Sequence, residues 1–446
     1  MNATHRYRIA FDFPRFLSST TIAIGLVWCA IAHGQDASFE SAPIHYLSTP
    51  VHDPVAKLAA QVEAGEIHLD YDREHGYLKS VLEALDVPVS SQTLVFSKTS
   101  LQLRRITPRR PRALYFNDNV YVGWCQRGDV IEFAATDAKQ GAMFYSLSQT
   151  PEEKPTFVRD RGQCLTCHAS SRTQNIPGYL VRSVFADSAG QPILGSGTFT
   201  TDQTSPFAER WGGWYVTGTH GAMRHMGNQT FKAGEAQDDL ESGANRQTLE
   251  GLVSTAPYLS PHSDLVALMV LEHQTQMHNA IAAANYETRQ ATHQSYQMNE
   301  FLGREAGFLS ESAQRRIAAS VDRVVKYMLM CDEFQLTSPV AGTSAFAEEF
   351  SRRGIRDSQG RSLRQLDLNT RLFRYPCSYL IYSDAFDGLP DEIRGKVVAR
   401  LTAILKNEVD DPEFAHLSPQ LRAEIFEILC ETKPGFAQQQ VPDSRS

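Results

Sequence analysis

Five consecutive residues, Cys164-Leu-Thr-Cys167-His168, constrain this chain more than any other stretch of it. Two cysteines three positions apart, followed at once by a histidine, are compatible with half of a zinc site, a redox dithiol, a covalent haem c anchor or chance. The choice among these depends on the compartment, on the other cysteines and on the surrounding chain.

The N-terminus predicts export. It begins with basic residues, continues with a short apolar run and ends in small residues: Arg6, Arg8, Arg15, residues 22–32, Ala32 and Gly34. This is the order of a secretory signal peptide, which predicts removal of residues 1–34 and a periplasmic or secreted protein. The apolar run is shorter than the roughly 20 residues of a membrane-spanning helix, so no transmembrane anchor is expected.

The remaining cysteines separate the four interpretations of the motif. Cys29 would leave with the signal peptide, and four isolated cysteines remain outside the motif: Cys125, Cys331, Cys377 and Cys430. A disulfide among these four and buried free thiols are both open. Structural zinc needs four ligands, normally from a second short-spaced pair, which the sequence lacks. A redox dithiol is expected where a strand leads into a helix, whereas Cys164 lies between polar, loop-like segments.

Covalent haem c fits every position of the motif. Cysteines one helical turn apart add across the two vinyl groups of one porphyrin edge, and the next residue places its imidazole on the iron. The sequence therefore predicts one covalent haem c, bound through Cys164 and Cys167, with His168 as the proximal iron ligand.

The pentapeptide "CLTCH" resembles the attachment site of c-type cytochromes, and the chain resembles large exported monohaem cytochrome-c-like proteins of unassigned role. The specific match covers residues 164–168 only. Small soluble cytochromes c carry the motif near their start, whereas here it lies deep inside the chain. Dihaem peroxidases carry two motifs, so their mechanism does not transfer to a sequence with one.

The charge of the chain limits the kinds of partner that can be expected. The formal net charge is −8, without long acidic runs, so no nucleic-acid partner is expected. One stretch is basic, with five arginines close together: Arg104, Arg105, Arg109, Arg110 and Arg112. It is compatible with a solvated loop, a docking patch or a clamp on anionic groups such as haem propionates.

The pattern along the chain predicts an α+β protein, with a β-rich N-terminal half that carries the haem c site and a mainly α-helical C-terminal half. We expect a β-rich region over 35–245, a helical region over 246–435 and a disordered tail over 436–446. The two regions are compatible with one shared core. Asp53 before Pro54, and Ser310, are expected to cap helices.

The sixth iron ligand decides between electron transfer and catalysis. Residues 205–229 form a Gly-rich loop, in which the backbone can approach a flat cofactor closely. This loop offers three candidates for the distal ligand: His225 and His220 first, and Met226 after them. On a later helix Met269, His273 and Met277 share one face, which a core stripe also explains, and His278 lies off that face. Four arginines that flank the motif could pair with propionates or face solvent: Arg159, Arg161, Arg172 and Arg182. Four aromatic residues could form a haem wall or fill the core: Trp124, Trp211, Trp214 and Tyr215.

Three hypotheses follow, and the preferred one is an exported c-type cytochrome that passes single electrons between redox partner proteins. The alternative is a monohaem c enzyme, peroxidase-like or another oxidoreductase, with an open iron site beside which Arg224 and His225 would act on a bound peroxide. The third is a non-redox role, in which the haem acts as a sensor or stabilises the fold of a binding protein. No catalytic residue is otherwise indicated, and the oligomeric state stays open.

Overall fold

The computed structural model describes residues 37–234 and 239–436. The predicted signal peptide, 1–34, and residues 437–446 of the predicted tail lie outside these ranges. Phe436 is buried and packs against Phe426. No helix within the described ranges combines the length and the apolarity that crossing a bilayer requires.

The expected α+β class is confirmed, with a large sheet in the first half and helices in the second. The helices are α1 (Ala37–Glu40), α2 (Pro54–Ala64), α3 (Leu78–Ala84), α4 (Leu165–His168), α5 (Leu265–Leu302), α6 (Glu311–Met328), α7 (Phe346–Arg352), α8 (Asp384–Asp387), α9 (Asp391–Leu405) and α10 (Pro419–Thr432). The strands are β1 (Thr93–Val95), β2 (Arg112–Phe116), β3 (Val120–Cys125), β4 (Val130–Asp137), β5 (Gly141–Ser148), β6 (Phe157–Arg159), β7 (Arg182–Val184), β8 (Thr198–Thr200), β9 (Trp214–Tyr215), β10 (Gly218–Thr219) and β11 (Ala341–Gly342).

Seven strands form one antiparallel sheet in the order β6-β5-β4-β3-β2-β1-β9. Side chains alternate between its two faces, because successive residues of a strand point to opposite sides. One face carries Tyr115 and Phe133, in the hydrophobic cluster that also holds the apolar residues of α2 and α3. The other face carries Phe116, Tyr121 and Phe144, in the cluster that α5 occupies.

The long helix α5 lies at the centre of the molecule, and every residue from 263 to 286 is buried. Its cluster includes sheet residues such as Phe116 and residues of the last helices such as Val397 and Ile428, so one core joins the two halves of the chain. Several buried residues of α5 are polar, and a buried polar group needs a hydrogen-bond partner. Glu272, Gln274 and Asn279 find such partners on the sheet and on the loops around α5.

Local signals gave most helix starts correctly. Asp53 caps α2 and Ser310 caps α6, as predicted. Helix α5 begins at Leu265, because the carboxylate of Asp264 caps it. Strand β7 pairs with the later strand β8.

Asp264 joins two parts of the fold. Its Oδ1 accepts hydrogen bonds from the amides of Val266 and Ala267, at 2.8 and 3.1 Å. Its Oδ2 accepts from the amides of Thr343 and Ser344, both at 2.8 Å. The side chain is buried, so no water replaces these bonds.

We expect Asp264→Ala to lower the free energy of unfolding by about 3 kcal/mol, because it removes a helix cap and leaves several buried donors unpaired. Ser310→Ala, which removes a cap with a single side-chain bond, is the control and should cost about 1 kcal/mol. Urea unfolding of both variants measures the difference. Equal losses would contradict the central role of Asp264.

Candidate functional site

The motif forms a single helical turn on the protein surface. The carboxylate of Asp160 accepts hydrogen bonds from the amides of Gly162 and Cys164, at 2.9 and 3.1 Å, and so shapes the entrance to α4. Leu165 packs against both hydrophobic clusters. Cys164 is therefore half-buried, while Cys167 is exposed.

His168 is held by the segment that follows the turn. Its Nδ1 lies 2.9 Å from the carbonyl oxygen of Gly178, and the Gly178 amide donates to the carbonyl of His168 at 2.8 Å. Only a protonated Nδ1 can donate to a carbonyl, so this contact leaves the lone pair on Nε2. Burial lowers the pKa of His168, which favours the neutral imidazole. A neutral ring with a free Nε2 lone pair is the form that binds a metal.

Helix α5 fixes the position of Gly178. Asn279 accepts from the amide of Tyr179 through Oδ1 and donates to its carbonyl through Nδ2, both at 2.8 Å. A Cβ on Gly178 would lie 2.5 Å from Asn279 Oδ1, so only glycine fits this approach. The orientation of His168 thus depends on a residue 111 positions later in the chain.

The sheet supplies the inner wall of the site. The Phe144 ring lies 4.8 Å from the imidazole of His168, measured between ring centroids. On the same sheet face, Leu114 and Ala134 are half-buried apolar residues packed against the central cluster. The ion pair of Arg112 and Glu132, at 2.5 Å, acts electrostatically on both His168 and Cys164. The inner wall is therefore mainly apolar and carries one arginine–glutamate ion pair, which suits a flat, mainly apolar group.

The surroundings of Cys164 differ from those of a redox dithiol. Burial, and then the negative charge of Asp160, raise the pKa of Cys164 to about 12. Disulfide oxidoreductases need the opposite, a thiol whose pKa is lowered so that the thiolate is present near neutral pH. No disulfide occurs in the described part of the chain, and Cys125, Cys331 and Cys377 are buried free thiols. Within the same residues, no group of three or more His, Cys, Asp or Glu side chains could hold a metal ion.

The arginines around the motif divide into two sets. Arg159 donates to the carbonyls of Tyr46 and Thr49, on the far face of the sheet. Arg172 and Cys167 both act electrostatically on Arg182, whose Nε is buried and lacks a hydrogen-bond partner. Arg172 and Arg182 therefore lie on the Cys167 side of the site.

The other arginines of the sequence analysis have separate positions. Arg161 is exposed, as are Arg104, Arg109 and Arg110. Arg105 pairs with Asp129 at 2.6 Å.

The three distal candidates of the Gly-rich loop are buried and bonded to the chain. His220 uses both ring nitrogens, Nδ1 with the carbonyl of Met223 at 2.7 Å and Nε2 with the amide of Asn245 at 2.9 Å. His225 Nδ1 accepts from the amide of Gly227 at 3.0 Å. Met226 Sδ lies 3.6 Å from the hydroxyl of Ser183.

The rings of these candidates pack within the loop itself. His225 lies beside Trp211 and His220, with ring centroids 5.2 and 4.8 Å apart. Burial lowers the pKa of His225 to about 3. In the described residues, no hydrogen bond or ring contact joins His220, His225 or Met226 to residues 164–168. Arg224 turns to Glu241 at the surface, 2.6 Å away.

The remaining sequence candidates lie elsewhere. His273 Nε2 contacts the hydroxyl of Ser378 at 2.8 Å, and Met269 and Met277 pack in the central core. Trp124 and Tyr215 belong to the cluster on the opposite face of the sheet. Trp214 is closer to the motif, since its Nε1 donates to the carbonyl of Arg182 at 2.7 Å.

Three residues that position the site had no place in the sequence analysis: Asp160, Gly178 and Asn279. A Pro-Gly pair ten residues after the motif was the only local signal for Gly178. Comparisons with protein-family models, with curated proteins and with solved structures found no match. The functional argument therefore rests on the geometry of the site.

The Gly-rich loop is fastened to α5 by a buried ion pair. Arg210 Nη1 lies 3.0 Å from Glu272 Oε2, and both side chains are almost fully buried. Arg210 also donates to the carbonyls of Gln203 and Ser205. Burial raises the pKa of Glu272 from its ordinary value of 4.5 to about 7, although Arg210 opposes the shift.

Glu272 predicts a pH dependence of stability. Its pKa is higher in the folded than in the unfolded protein, so between about pH 4.5 and 7 the folded state binds more protons, and stability falls as the pH rises. We expect Glu272→Gln to remove this part of the decline. Melting temperatures at both ends of the window measure it, with the exposed Glu348→Gln as control. If the melting temperatures of Glu272→Gln and of the natural protein changed equally with pH, the role of Glu272 in the pH dependence would be contradicted.

Proposed function

We propose that this protein is an exported c-type cytochrome that binds one haem c covalently through Cys164 and Cys167, with His168 as proximal iron ligand. It passes single electrons between redox partner proteins. The observation that carries the proposal is the contact of His168 Nδ1 with the Gly178 carbonyl, beside two thiols on one helical turn. When bound, the haem supplies an iron that cycles between its ferrous and ferric states.

The residues around the motif have distinct roles in this proposal. The Gly178 carbonyl holds the imidazole of His168 in one tautomer and raises its basicity as a ligand. Phe144 excludes water from the inner side of the imidazole. Arg112 and Arg182 are suited to the acidic propionates, since guanidinium groups bind carboxylates with two parallel hydrogen bonds.

A second candidate function is a haem c enzyme with an open iron site. One observation favours it: the polar atoms of His220 and Met226, and Nδ1 of His225, are already in contacts with the chain. Using His220 or Met226 as a sixth ligand would require breaking these buried contacts, which costs about 1–3 kcal/mol each, whereas His225 could ligate only through its Nε2. An iron with only His168 bound would accept an external ligand.

Covalent attachment has a direct test. We expect the double variant Cys164→Ser, Cys167→Ser, expressed for export together with the haem-attachment machinery, to lose haem during denaturing electrophoresis. The natural protein should keep it, because thioether bonds survive denaturation. Cys377→Ser, which changes a buried thiol away from the motif, is the matched control. Absence of bound haem in the natural protein would refute the proposal.

The axial ligation separates the two candidate functions. For an electron carrier we expect the absorption spectrum of the reduced protein to stay unchanged when carbon monoxide is added, because both axial positions are filled. A prompt shift of the haem bands would instead favour the enzyme or a sensor. Repeating the measurement with His225→Gln and Met226→Leu would show whether either side chain fills the sixth position.

A further inference from the structure

Tyr121 is a buried residue of the core, and its hydroxyl contacts two polar side chains of α5. Gln274 Nε2 lies 2.8 Å from the Tyr121 oxygen, and His278 Nδ1 lies 3.1 Å from it. Both α5 residues are buried. All three side chains are at least nine-tenths buried, so the direction of each proton follows mainly from their contacts with one another and with neighbouring protein groups.

The amide of Gln274 has a fixed orientation. Its Nε2 also donates to the carbonyl of Asn117 at 2.8 Å, and its Oε1 accepts from the hydroxyl of Tyr379 at 2.5 Å. Gln274 is therefore a donor to Tyr121, and the Tyr121 proton is directed to His278.

His278 is the acceptor of that proton. Its Nδ1 faces the hydroxyls of Tyr121 and, at 3.4 Å, Thr136, while its Nε2 is buried without a partner. Burial lowers the pKa of His278 to about 3 and raises that of Tyr121. At neutral pH both are uncharged, so Tyr121 keeps its proton until an electron leaves it.

A second tyrosine connects this pair to the candidate haem site. The rings of Tyr121 and Tyr179 are 4.6 Å apart between centroids, and the Tyr179 hydroxyl lies 2.6 Å from Thr136 Oγ1. Tyr179 directly follows Gly178, whose carbonyl contacts His168 Nδ1. The imidazole of His168 is thus connected to the ring of Tyr121 by one hydrogen bond to Gly178, the peptide link to Tyr179 and one contact between the two tyrosine rings.

On the side of Tyr121 that faces away from the motif, its partner Gln274 lies at a surface cleft. Gln274 and Phe116 line that cleft together with Phe350 and Arg364. The Arg364 guanidinium lies 4.3 Å from the centre of the Tyr379 ring. Tyr121 therefore lies between the motif and a second region of the surface.

We propose that Tyr121 and His278 form a redox-active pair that takes up one oxidising equivalent inside the core. A strong one-electron oxidant accepts an electron from the phenol, the O–H bond breaks, and the proton passes to His278 Nδ1. The products are a neutral tyrosyl radical and an imidazolium, and one returning electron restores both groups. In the haem-bearing protein, the returning electron would come from ferrous haem, which would become ferric, and would reach Tyr121 past the ring of Tyr179, which keeps its own electron and proton; this step rests on the proposed function.

The pair is tested in the full-length, haem-bearing protein with a photogenerated ruthenium(III) polypyridyl oxidant. We expect a tyrosyl radical in the transient absorption and in the electron paramagnetic resonance of frozen samples. Tyr121→Phe should remove most of this signal. Tyr115→Phe is the matched control and should keep it, because Tyr115 is a buried tyrosine of the adjacent strand whose hydroxyl bonds to Gln92 and not to a histidine.

A second variant changes only the proton acceptor. His278→Gln keeps Tyr121 and should slow radical formation about a hundredfold, the lower end of what a positioned base contributes. Circular dichroism and melting curves verify that each variant is folded. A full radical yield in Tyr121→Phe, or an unchanged rate in His278→Gln, would overturn the proposal.

The connection to the haem has a separate readout. With ferrous haem present, the radical should decay as the haem band converts to the ferric form. In the variant Cys164→Ser, Cys167→Ser, produced without the haem-attachment machinery and verified by its absorption spectrum to hold no haem, the radical should persist. Equal decay in both proteins would overturn the route through Tyr179. A chain without any haem would refute the cytochrome function and leave the test of the pair intact.

Discussion

The fold depends on satisfying the buried polar face of α5. Glu272, Gln274 and Asn279 bond to the Gly-rich loop, to the sheet and to the segment after the motif, respectively. Each buried polar group left without a partner would cost about 1–3 kcal/mol. These bonds therefore fix three otherwise separate parts of the chain against one helix, and with them the orientation of His168.

Local chemistry explains what the sequence predicts well. Asp53 and Ser310 cap their helices whatever lies further along the chain, because a cap is formed within one turn. The strands of the first half follow from alternating Val, Tyr and Phe. The role of α5 was not predictable in this way, since Glu272 and His278 find their partners 62 and 157 positions away in the sequence. On the sequence alone its Met and His residues are an amphipathic stripe.

The candidate site also combines features that are local in the sequence with features that depend on distant residues. Cys164, Cys167 and His168 form a local motif, whereas Gly178 becomes part of the site only because Asn279 folds against it. Glycine spacing in the later loop suggested a close approach to a cofactor. In the structure Gly212 and Gly218 face the protein: a Cβ on Gly212 would lie 2.5 Å from the Val184 carbonyl, and one on Gly218 would lie 2.6 Å from Leu265 Cβ. Glycine is needed wherever the backbone approaches another group closely, whether that group is protein or ligand. The sequence alone does not distinguish these two causes.

The position of the motif gives the site two unlike sides. Cys167 is exposed, so one edge of a group bound there would face solvent and any protein docked over it. His168 faces inward, where it packs against Phe144 and contacts the carbonyl of Gly178, and the next residue, Tyr179, packs against His278 of α5. A small electron carrier needs only the first side, since a partner can exchange electrons across the exposed edge. The size of this protein and its polar central helix make physical sense if the inward side also takes part, because a buried tyrosine with its own base is a costly arrangement for packing alone.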